Sequence, residues 1–126
     1  MPHVLESELS GPGVIIRFSG QVNGDEIYRL NEQLMADPAF IRWRYQIWDF
    51  SEVAQLQATL DQLRLFALQD AAAAKLNPSQ KIAIIPRQQP ASGLDRTFHT
   101  LEKVWGAYES RSFSDLDAAH KWCTQP

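Results

Sequence analysis

Tyr45-Gln46-Ile47-Trp48-Asp49-Phe50 is the stretch on which the fold turns. Aromatic and β-branched side chains dominate it, glycine and proline are absent, and it runs into polar Ser51-Glu52, which is the composition of a strand with Asp49 near its carboxyl end. Helical patterns flank it on both sides. Upstream, Asn23 followed by Glu26 has capping-box spacing, with the Asn side chain accepting from a helix N–H and Glu26 reaching back. Ile27, Leu30 and Leu34, with Tyr28 and Met35 beside them, then form an apolar stripe that Asp37-Pro38 stops. Downstream, the chain from about Leu56 to Lys75 contains no glycine or proline, and Leu60, Leu63, Ala67, Ala71 and Ala74 line one side of a long helix closed by Asn77-Pro78.

Working outward, Val4 to Leu9 reads as an edge strand, Ser10-Gly11-Pro12-Gly13 as a turn, and Val14-Ile15-Ile16-Arg17-Phe18 as a firmer strand, so a hairpin opens the chain. Gly20 to Gly24 reads as a connection. Lys81-Ile82-Ala83-Ile84-Ile85 is a short unbroken apolar run, as expected of a strand covered on both faces. After a polar loop from Pro86 to Ala91, Ser92 and Asp95 mark a helix start, and Leu94, Phe98, Leu101 and Trp105 carry its stripe to Gly106. Tyr108 to Phe113 completes the strands, and Ser114 with Asp117 caps a last helix whose Leu116, Ala119, Trp122 and Cys123 face inward. The order ββαβαβαβα predicts an α/β fold: a single-layer, mostly parallel mixed sheet of four or five strands with about four helices packed on it.

The 126 residues suit one domain, 1–126, since halves would be too small for adequate cores. Hydrophobic residues at 44% and charged residues at 21% match a globular chain and exclude a disordered or fibrous one. A net charge of -3 supplies no broad cationic field, which argues against nucleic acid as a partner. Arg42-Trp43-Arg44, a pattern able to stack on a base, is too small a feature to reverse that. Cys123 stands alone, so no internal disulfide or cysteine-built zinc site is available. Without an apolar leader or a run of about 20 apolar residues, a cytoplasmic protein with no integral membrane segment is expected.

Catalytic and cofactor frames are missing. Ser51, Ser92 and Cys123 sit in no nucleophile motif, and His99 and His120 fall on different helices without paired ligands, so neither a catalytic residue nor a metal is expected. Gly11-Pro12-Gly13 precedes a strand rather than a helix, the wrong place for a phosphate cradle, and no cofactor is expected. Ligand or anion candidates are Asp49, Arg87 after the fourth strand, and Ser92, Arg96 and His99 at the helix that follows. For Asp49 the competing reading is a carboxylate that holds the backbone N–H groups of Ser51-Glu52-Val53, and for the Arg87 group a solvated basic patch. Thr59 followed by Gln62 also has capping-box spacing, so a cap competes with a regulatory role for its hydroxyl.

With that element order, the chain resembles the SpoIIAA-like branch of the STAS domains, the anti-sigma-factor-antagonist fold, and especially small bacterial proteins of unassigned role within it. Three segments carry the resemblance. Ile47-Trp48-Asp49-Phe50-Ser51 is similar to the family's strand closing in Asp-Leu-Ser, Ala91 to Phe98 to its loop and helix start, and Arg111 to Trp122 to its closing strand and helix. The resemblance implies a four- or five-stranded sheet and, in many members, a switch in which a kinase phosphorylates a Ser or Thr at the start of the second helix. The family's Asp-Ser-Ser-Gly-Leu stretch falls on Gln57, Ala58, Thr59 and Leu60, so Thr59 keeps an acceptor while the acidic neighbour and the glycine are lost; Ser51 is the other phosphoacceptor candidate.

The expectation is a non-enzymatic regulatory or interaction module acting by protein–protein binding, with self-association as a dimer included, through an exposed helix face or the edge strand near residues 4 to 9. The alternative is a carrier for a small apolar or anionic, lipid-like ligand held between sheet and helices by Trp48, Phe66, Phe98 and Trp105, with Arg87 or Arg96 fixing its head.

Overall fold

The computed structural model describes residues 3–7, 13–86 and 109–125. Five strands form one sheet in sequence order: β1 (His3–Ser7), β2 (Gly13–Asn23), β3 (Tyr45–Gln57), β4 (Lys81–Ile85) and β5 (Glu109–Ser112). β1 runs antiparallel to β2 with His3 opposite Phe18 and Ser7 opposite Val14, while β2 to β5 are mutually parallel. This is the mixed, mostly parallel sheet that the strand and helix alternation implies. Among the described residues the helices are α1 (Gly24–Ala36), α2 (Leu60–Leu76) and α3 (Leu116–Cys123), with a 3₁₀ turn at Phe40–Arg42. The expected helix from Ser92 to Trp105, and the hairpin turn before Gly13, lie outside the described residues.

Alternating side chains divide the sheet into two cores. Val14, Ile16, Phe18, Trp48, Ile82 and Ile84 point to α1 and α2, whereas Ile15, Tyr45, Ile47, Ala83 and Ile85 point to α3. α1 and α2 share a face because β2 to β3 and β3 to β4 step the same way across the sheet, and right-handed crossovers then put both helices on one side. Phe18 stacks on Phe50 with ring centroids 4.7 Å apart and on Trp48 at 5.7 Å. The amino-terminal ends of β3 and β4 are tied by buried amides: Gln46 donates to Gln80 at 3.0 Å and accepts from the Trp48 indole at 2.8 Å. On the other face the Lys81 ammonium lies 5.1 Å from the Trp122 ring centre and donates to the carbonyls of Trp122 and Gln125, fastening the end of α3.

Four boundaries depart from the sequence expectation. β2 runs on to Asn23 and β3 to Gln57, so Gly20 to Gly24 is not a free connection and Ser51-Glu52 is not an exit. Beyond the end of β4 at Ile85, opposite Asp49, the two strands continue as a parallel ribbon from Ser19 with Glu52 to Asn23 with Gln57. β3 carries extra residues at two register shifts, after Arg17 and after Gly20 on β2, and Gly20 adopts a positive φ of 69° there. α2 therefore starts at Leu60 rather than near Leu56. α3 is capped by Asp115, which accepts from Ala118 N at 2.8 Å, rather than by Ser114.

Candidate functional site

Asp49 lies within β3, half-buried on the α3 side of the sheet, and its carboxylate accepts the Ser51 N–H at 2.9 Å. The bond falls where β3 carries its first extra residue, between the Arg17–Asp49 and Ser19–Glu52 pairs, so the side chain supplies an acceptor to an amide beside the interrupted ladder. The structural reading of Asp49 is thus the one its contacts support, though in mid-strand and not in a turn. Beside it the described parallel strands follow one another in order, without the reversal at which an open α/β sheet parts its helices. Arg87, Ser92, Arg96 and His99 lie outside the described residues, as do Phe98 and Trp105. Trp48 and Phe66, the other two residues of the expected apolar pocket, are buried in the core beneath α1 and α2. Trp43 packs in a T-shaped contact with Phe40, centroids 5.7 Å apart, partly buried against the core beneath α1 and α2.

Thr59 is the exposed N-cap of α2. Its hydroxyl accepts from Gln62 N at 3.1 Å, and the Gln62 side chain accepts the Thr59 N–H at 2.8 Å, closing the capping box that the spacing predicts. Gln62 also donates to Asp25 at 3.4 Å, so the amino termini of α1 and α2 stand side by side. Gly24 fits between them because a β-carbon there would run into the Gln62 amide. At the start of α1, Asn23 accepts from Glu26 N at 2.9 Å as its spacing predicts. Ser51, by contrast, is half-buried within β3.

The feature that sequence reasoning missed is on the outside of α2. Leu63, Phe66, Ala67 and Ala73 face the sheet, yet Leu65, Leu68 and Leu76 remain 50%, 53% and 55% exposed. With Ala72 they recur at intervals of three, four and four residues, a second apolar stripe on the same helix. α1 supplies the opposite wall through Tyr28, Met35 and Ala36, and together the two helices enclose a groove of about 590 Å³. Its floor is locked by polar contacts: Asn31 donates to Gln69 and Asp70, each at 2.9 Å, and Gln69 donates to the Tyr28 carbonyl at 3.1 Å. Among the described residues Glu32 is the one charged residue lining it, and its carboxylate, by hydrogen bonding and by its charge, raises the Tyr28 phenol pKa above its ordinary value. The stripe was legible as spacing. It was hidden because the inner stripe of the same helix competes for the same apolar residues.

No family model matches the chain, and no curated protein sequence does. Solved structures do match in fold. The anti-sigma factor antagonist SpoIIAA in its unphosphorylated form aligns with a TM-score of 0.59 at 12% identity, over 94% of this chain and 94% of that one. The phosphorylated form of the Bacillus cell fate determinant SpoIIAA aligns at 0.57 with 13% identity, over 95% and 98%. An uncharacterised Shewanella loihica protein with a SpoIIAA-like fold aligns at 0.52 with 18% identity, over 96% and 91%. The chain therefore has the SpoIIAA-like fold that its three motif segments resemble.

Proposed function

We propose that this SpoIIAA-like domain is a non-enzymatic interaction module, working in the cytoplasm, that binds a protein partner through the outer face of α2. The observation that carries the reading is the second apolar stripe of α2. A surface helix normally keeps one apolar face for the core, and large half-exposed leucines in a continuous row mark a contact surface. The structural likeness to an anti-sigma factor antagonist agrees with this reading, since such a protein acts through another protein. Thr59 is the position at which the contact would be controlled: it is exposed and begins the helix that carries the stripe, where free N–H groups favour a phosphate.

The test is capture of associated proteins from the host by the wild-type chain, Leu68→Glu and Arg64→Ala, with circular dichroism as the control for folding. Loss of a captured protein from Leu68→Glu at unchanged melting supports the reading. Identical capture by variants spanning the whole α2 face overturns it. An intact-mass spectrum of protein purified from its own host tests Thr59: a phosphoryl increment removed by Thr59→Ala is expected, and its persistence in that variant moves the modification elsewhere.

A further inference from the structure

The groove between α1 and α2 has a length, a chemistry and a sign. From Leu65 to Leu76 is eleven residues, about 16 Å at helical rise, or three turns of a helix laid alongside. The walls are helices whose backbone groups are largely committed to their own hydrogen bonds, so the groove lacks the open ladder that an added strand needs and offers side-chain packing instead. Glu32 lines it beside Tyr28 and Met35, a carboxylate among apolar walls. Of the charged residues on α1 only Glu32 lines the groove, while the helix as a whole is acidic, with Asp25, Glu26, Glu32 and the C-cap Asp37 against Arg29, a balance of -3. Arg64, which precedes Leu65, is paired with Asp61 at 3.2 Å.

Resting on the reading that the outer face of α2 binds protein, we propose that the partner presents an amphipathic helix of about three turns with Lys or Arg beside its apolar stripe, that this helix lies in the α1–α2 groove over Leu65, Leu68 and Leu76, and that Glu32 selects its charge. Charge complementarity names this occupant in preference to a second copy of the chain. An antiparallel two-fold pairing that stacks Leu65 on Leu76 and Leu68 on Ala72 of another copy also brings Arg64 against the other copy's Lys75, like charges at the edge of an apolar seam. A basic helix meets no such conflict. It gains an ion pair at Glu32, and the net negative charge of α1 steers its approach.

The experiment uses the full chain and two labelled peptides of the same length, blocked at both ends, with one leucine stripe spaced to match the groove and flanked either by lysines or by glutamates. Fluorescence anisotropy gives affinity, and amide shifts in the NMR spectrum locate the contact. The lysine peptide is expected to bind at least about tenfold more tightly than the glutamate peptide, to weaken as salt rises, and to shift amides of α1 and α2. Leu68→Glu should abolish that binding, and Glu32→Lys should reverse the preference between the peptides.

Equal affinity for the two peptides, no binding by either, or an unchanged preference in Glu32→Lys overturns the basic-helix proposal. So does a wild-type dimer that Leu68→Glu converts to a monomer, because a second copy then covers the groove. None of these results touches the broader reading, which fails separately if captured proteins are indifferent to every substitution on the α2 face.

Discussion

α1 and α2 lie side by side on one face of the sheet, and they differ in what their outer surfaces carry. α1 sends Ile27, Leu30 and Leu34 inward and keeps charge outside at Asp25, Arg29 and Glu32, the ordinary division of a surface helix. α2 buries Leu63, Phe66, Ala67 and Ala73 and still leaves Leu65, Leu68 and Leu76 half-exposed. Folding accounts for the first set and leaves the second without an internal purpose. The inner and outer faces of α2 should therefore respond to substitution in opposite ways, one through stability and the other through association.

The largest effect tests the inner face. Phe66→Ala should cost about 3–5 kcal/mol and Leu30→Ala on α1 about 2–5 kcal/mol in urea unfolding, because each leaves a cavity in the same packed core. A cost below about 1 kcal/mol for Phe66→Ala would erase the contrast between the two faces of α2. Next comes the seam between the helices. Asn31→Ala removes the donor to both Gln69 and Asp70, and a loss of about 1–3 kcal/mol is expected, with Asn31→Asp, which adds a charge beside Asp70, at least as damaging.

Thr59→Ala should cost about 1 kcal/mol through the lost capping box, with Thr59→Ser retaining most of it. Leu68→Ala and Leu65→Ala should stay within about 0.5 kcal/mol of wild type in the same measurement while weakening capture of a partner, which separates contact from fold. The smallest effect sharpens the groove. Tyr28 is an acid whose folded pKa is raised by the hydrogen bond to Glu32 and the nearby carboxylate charge, so its protonated form is favoured in the native state. That contribution is complete below the unfolded tyrosine pKa of about 10 and is lost as pH rises through the higher folded value. Ultraviolet titration should show the raised phenol, and Glu32→Gln should bring it back towards the ordinary range.

Much of this architecture was legible because each element carried its own signal. The aromatic and β-branched run at Tyr45–Phe50, the apolar run at Lys81–Ile85, the N-cap at Asn23 and the capping box at Thr59 stand where the sequence places them, though Glu26 does not complete the box at Asn23. What was missed was the second half of β2 and β3. The extra residues in β3 break the two-residue alternation that marks a strand, so Val53 is buried and Leu56 partly buried at a spacing that matches no ideal strand, and Leu56 reads as the start of the helix. For the same reason the end of the apolar run near Asp49 reads as the end of the strand, although β3 continues to Gln57. The outer stripe of α2 needed the fold to say which leucines the core had already used.

Asn23 is at once the last residue of the β2 ladder, paired with Gln57, and the N-cap of α1, so strand passes into helix with no spacer. Such a junction makes a stiff crank: a twist applied to α1 is delivered to the sheet instead of being absorbed by a loop. One residue inserted between Asn23 and Gly24 would turn the helix by about 100° about its own axis and carry Ile27 and Leu30 out of the core. A flexible insert meant to report on motion of α1 would for that reason uncouple the helix it was meant to observe.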